Sequence, residues 1–72
     1  MRIEPGTTVW YIDGDIVKTG VTVESYGNLG EWLTYTIEGR GDERFFAFVT
    51  QEVAEFAIAE MQRRFGGQLH AR

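Results

Sequence analysis

The chain has 72 residues, seven Lys/Arg against eleven Asp/Glu for a net charge of −4, and no cysteine. That length makes one domain with a small core, and the missing cysteines exclude disulfides and thiolate metal sites as staples. The acidic balance argues against generic phosphate-backbone binding, which runs on clustered Lys/Arg.

Ten aromatic rings (two Trp, three Tyr, five Phe) supply burial that the length alone does not. The composition, 43% hydrophobic and 25% charged, is that of a folded globule. Met1-Arg2-Ile3-Glu4-Pro5-Gly6 is too short and polar for a signal peptide, and no apolar run reaches the length of a membrane span. A cytoplasmic protein with no membrane contact is expected.

Pro5-Gly6 is a turn signal, and Thr7-Thr8-Val9-Trp10-Tyr11-Ile12 follows as a β-branched and aromatic first strand. Val9 and Tyr11 share one face and Trp10 and Ile12 the other, so both faces are apolar. Asp13-Gly14 predicts a hairpin. The second strand runs from about Asp15 to Tyr26. Val17, Thr19, Val21 and Val23 are expected on its apolar face, and Lys18, Gly20, Thr22 and Glu24 on its polar one. Gly20 predicts a bulge or bend there.

Gly27-Asn28-Leu29-Gly30 is the second turn. The third strand, Glu31 to Glu38, points Leu33, Tyr35 and Ile37 inward and Trp32, Thr34 and Thr36 outward. Gly39-Arg40-Gly41-Asp42 is the third turn, leading to a fourth strand from Glu43 to Val49. Thr50 then caps a helix over about 50–65, with Val53, Ala54, Ala57, Ile58, Met61 and Phe65 forming its apolar stripe. Gly66-Gly67 is expected to stop the helix and leave 66–72 as a flexible tail. Residues 1–72 thus read as one α+β domain, mainly β: strands within 5–49 form a four-stranded antiparallel curled meander closed off by one C-terminal helix.

The stretch Gly6-Thr7-Thr8-Val9-Trp10-Tyr11-Ile12, followed by Ile16-Val17-Lys18-Thr19-Gly20-Val21-Thr22-Val23, resembles the opening of SH3-like small barrels. Phe48-Val49-Thr50-Gln51-Glu52-Val53-Ala54 is similar to the strand-to-helix junction of a group of short, largely uncharacterised bacterial and prophage proteins with a C-terminal helix. The resemblance covers roughly residues 6–62. It implies a barrel or half-barrel of bacterial or mobile-element origin, and no particular activity. Plasmid-type dihydrofolate reductases, enzymes on such a barrel, carry Val-Gln-Ile-Tyr where this chain reads Arg44-Phe45-Phe46-Ala47-Phe48, so that activity is not implied.

No catalytic residues, cofactor or metal site emerge. The single serine, Ser25, has no histidine near it in sequence, and the single histidine, His70, lies in the predicted tail. Asp13, Asp15, Asp42 and Glu43 flank turns whose geometry explains them without a cation. The glycine pairs Gly27/Gly30 and Gly39/Gly41 precede no helix and lack a phosphate-loop lysine.

What remains is an aromatic surface. Trp10, Trp32, Tyr26 and Phe45 are expected on faces opposite the core, and Phe56 projects away from the helix stripe. With Ala59 and the stem of Glu60, Phe56 could form a self-complementary helix face, so a homodimer is expected as one use of this surface. The function expected is non-enzymatic protein binding, with single-stranded nucleic acid the alternative ligand. Lys18, Arg40 and Arg44 near the rings are outnumbered by Asp13, Asp15, Glu24, Glu31, Glu38, Asp42 and Glu43, and the other basic spot is Arg63-Arg64 with Arg72. This balance favours protein over nucleic acid.

Overall fold

A computed structural model describes residues 2–29 and 32–70, with backbone only for Asn28, Leu29, Trp32 and residues 65–70. Four strands, β1 (Thr8–Asp13), β2 (Ile16–Leu29), β3 (Trp32–Ile37) and β4 (Arg44–Phe48), precede one helix, α1 (Gln51–His70). Each strand pairs antiparallel with the next, and β4 returns to β1 through Trp10↔Phe48 and Tyr11↔Ala47, closing a barrel.

The long β2 serves both halves of the barrel. Ile16 to Val21 pair with β1, and Thr22 to Leu29 pair with β3. The register shifts between Thr22 and Glu24, making Val23 the extra residue of a bulge. A second irregularity falls between Tyr26 and Leu29. The predicted bulge at Gly20 is therefore displaced by a few residues. Gly20 itself answers a different need: a Cβ there would lie 2.6 Å from Ile37 Cγ2 and 2.8 Å from Tyr11 Cε1.

The predicted faces of β2 are inverted before the bulge. Gly20 and Thr22 sit opposite the buried Val9 and Ile37, while Val23 is exposed and Val17 packs under α1. The cause is room: the Tyr11 ring and the Ile37 methyl occupy the space above Gly20. Thr22 is buried without penalty because its hydroxyl accepts from the Thr7 amide and donates to the Glu4 carbonyl at 2.8 Å. Those bonds, with the Gly6 amide to the Thr22 carbonyl at 2.8 Å, tie the N-terminal arm across one end of the barrel. Tyr35 reaches the same arm, its hydroxyl accepting from the Ile3 amide at 3.1 Å.

The barrel interior holds Val9, Tyr11, Tyr35, Ile37, Phe45 and Ala47, with Ile3 and Leu33 at its margin. Arg40, in the turn between β3 and β4, donates to the Tyr11 hydroxyl at 2.8 Å and to Asp13 at 3.1 Å. Its guanidinium also lies 4.9 Å from the Phe45 ring centre, so a cation caps two aromatics in tilted contact. The hairpin below it turns at Gly14, whose φ of 70° is the conformation expected of Asp-Gly.

A second core forms outside the barrel wall, where Ile12, Val17, Phe46 and Phe48 meet Ala57, Ile58 and Met61 of α1. Thr50 caps that helix, its hydroxyl accepting from the Val53 amide at 3.2 Å. Two helix expectations change. Val53 is 49% exposed, because Ala54, Ala57 and Ile58 centre the buried stripe about 100° away from it. The backbone also stays helical through Gly66-Gly67 to His70, since glycine weakens a helix without forbidding it.

Candidate interaction surface

β2, β3 and β4 turn one outer face away from the barrel core. The registers Tyr26↔Thr34 and Thr34↔Phe46 place these three side chains in one row, and Glu24↔Thr36 with Thr36↔Arg44 make the neighbouring row. Thr34 and Thr36 are buried beneath their larger neighbours, and the Thr36 hydroxyl accepts from the Glu24 amide at 3.1 Å. Short side chains in the middle strand flanked by long ones outside it form a trough.

A shallow groove of about 190 Å³ occupies this region, lined by Ile12, Gly27, Thr34, Arg44, Phe45 and Phe46. On its rim the Arg44 guanidinium lies 3.9 Å from the centre of the Tyr26 ring. The Tyr26 hydroxyl donates to Glu24 Oε1 at 2.6 Å. That bond to a carboxylate, followed by partial burial, raises the Tyr26 phenol above its ordinary value. The ring is thereby held between a cation on its face and an anion at its tip. Among the described residues no carboxylate lies within ion-pair distance of Arg44.

The expected surface residues separate. Tyr26 is half-buried on the groove rim. Trp10 is half-buried on the outer wall, paired with Phe48 and Thr19 across the neighbouring strands and two residues before Ile12. Phe45 is a correction: it is 5% exposed inside the barrel, 4.8 Å from the Tyr11 ring. Its strand is apolar on both sides, and closure onto β1 turns Phe45 and Ala47 inward and Phe46 and Phe48 toward α1. Phe56, 66% exposed, stands on the far side of α1 from the barrel. The Trp32 side chain lies outside the described residues.

Arg44 and Glu24 were not anticipated as surface anchors, although the spacing of Glu24 and Tyr26 on one strand face was a usable signal. Other polar residues have structural partners. Asp13 is bound by Lys18 at 3.0 Å and by Arg40, and these bonds hold its carboxyl below the usual value. Ser25 sits opposite Tyr35 in the β2–β3 ladder. Among the described residues no three His, Cys, Asp or Glu side chains converge as metal ligands would, and no described helix is long and apolar enough to cross a membrane. In comparisons with protein-family models, curated proteins and solved structures, nothing matches the chain.

Proposed function

We propose that this chain is a non-enzymatic, cytoplasmic protein-interaction module that docks a segment of a partner protein in the groove beside Tyr26 and Arg44. The observation carrying this reading is the juxtaposition of an apolar floor, Ile12 and Phe46, with a stacked cation on the rim. Such a site suits a segment offering one apolar side chain to the floor and a carboxylate or carbonyl to Arg44. Trp10, on the same outer wall as Ile12, extends the apolar surface available to a longer segment. Trp32 remains an expected contributor on its sequence position alone.

Nucleic acid is the less favoured ligand. The Tyr26 face on the rim already carries Arg44, Glu24 stands beside it, and the chain is acidic overall. The curled barrel with a C-terminal helix is the fold implied by the SH3-like resemblance, and a bacterial or mobile-element origin follows from that resemblance only. The test is capture from a bacterial host lysate with wild-type chain and with Arg44→Glu, both checked for folding by circular dichroism. A protein retained by the wild type and lost by Arg44→Glu supports the reading. Equal retention by both would remove the groove as the binding surface.

A further inference from the structure

The solvent side of α1 has its own pattern, separate from the groove. Glu52, Phe56, Ala59 and Arg63 are all exposed and follow one another at spacings of four, three and four residues. At about 100° per residue they fall within a strip roughly 60° wide, opposite the Ala54, Ala57, Ile58 and Met61 stripe that packs on the barrel. The spacing is that of a helix-pairing seam.

We propose that a second copy of this chain covers this strip, with the two α1 helices antiparallel about a two-fold axis between Ala57 and Ile58. That axis sets Glu52 of one helix opposite Arg63 of the other, and Phe56 opposite Ala59. Acid meets base and a large side chain meets a small one, twice over by symmetry. A parallel pair would instead set Glu52 against Glu52 and Phe56 against Phe56. The complementarity is therefore specific to a second copy in one orientation, which is what identifies the occupant. Arg63 already pairs with Glu60 on its own helix. In the dimer it bridges that carboxylate and Glu52 of the other copy, giving each guanidinium two anionic neighbours. Val53, exposed on the flank, adds apolar area.

One helix face buries less than the roughly 1,200 Å² of a standard interface, so the dimer is a weak one that forms as concentration rises. Sedimentation equilibrium across a dilution series tests it. The wild type is expected to show a monomer–dimer equilibrium, and Phe56→Glu to remain monomeric with an unchanged helix signal. Glu52→Arg and Arg63→Glu should each weaken association by about tenfold or more, and the double reversal should restore it. Should Phe56→Glu lose its helix signal, Ala59→Arg places the same block on the facing position. A mixture of Glu52→Cys and Arg63→Cys chains should cross-link under oxidation, whereas Glu52→Cys alone should not. A wild type monomeric throughout, a dimer indifferent to Phe56→Glu, a double reversal no better than the single ones, or cross-linking of Glu52→Cys with itself would each overturn the proposal. None of these outcomes bears on partner capture by the groove, which Arg44→Glu tests separately.

Discussion

Adding one methyl group at Gly20 should destabilise the barrel measurably. The new Cβ would lie 2.6 Å from Ile37 Cγ2 and 2.8 Å from Tyr11 Cε1, against the roughly 3.5–4.0 Å at which carbon atoms pack. Neither neighbour has free space to retreat into. Ile37 is buried, and Tyr11 is held by Arg40 at its hydroxyl and by Phe45 at its ring. Overpacking of this kind costs about 1–3 kcal/mol. Gly20 has no left-handed φ, so alanine should recover about 0.4–1 kcal/mol by restricting the unfolded chain. The net loss expected for Gly20→Ala is about 1–2 kcal/mol, or a melting point lower by about 5–15 °C in a domain this small. Thermal and urea unfolding followed by circular dichroism would measure it. Ile37→Leu removes the offending Cγ2 methyl, so the double variant should lose less than the two single losses combined. A Gly20→Ala chain as stable as wild type would refute the close-approach argument.

Three further outcomes are expected. Thr50→Ala removes the helix cap that the Val53 amide uses, and should cost about 1 kcal/mol in urea unfolding. Asp13 has its carboxyl held low by hydrogen bonds from Lys18 and then Arg40. Its contribution is complete above the unfolded value of 3.8 and is lost as pH falls through the lower folded value, so the stability gap between wild type and Asp13→Asn should close in acid. Tyr26 has a raised phenol, so its contribution is present at neutral pH and is lost as alkali takes pH through the folded value. Glu24→Gln should bring its ultraviolet titration back toward 10.0, with Tyr26→Phe identifying the signal.

The residues that signalled their places did so through local chemistry. Asp13-Gly14 marks a turn because its backbone demand is local, and Thr50 caps α1 for the same reason. Alternation places Tyr35 and Ile37 inside correctly, since β3 has a distinguishable face. β4 has none: Phe45, Phe46, Ala47 and Phe48 are apolar on both sides, and only pairing with β1, 36 positions earlier at Tyr11↔Ala47, decides that Phe45 turns inward. In β2 the bulge at Val23 resets the alternation, so a periodic reading taken across it assigns Gly20 and Thr22 to the wrong side. Arg40 read as a turn residue because its partners, Tyr11 and Asp13, are distant in sequence. The groove was missed for a related reason. Tyr26 belongs to β2 and Arg44 to β4, and the short Thr34 and Thr36 of β3 form a trough only when the three strands lie side by side.

On the proposed function, a partner binds in the Tyr26–Arg44 groove. Titration calorimetry on a protein captured from host lysate tests it most directly, comparing wild type, Arg44→Glu and Phe56→Glu at equal concentration. Binding should weaken at least about tenfold for Arg44→Glu, which removes a charge-assisted contact and reverses its charge. Phe56→Glu, on the other side of α1, should bind as the wild type does. Undiminished affinity in a folded Arg44→Glu chain would contradict the account.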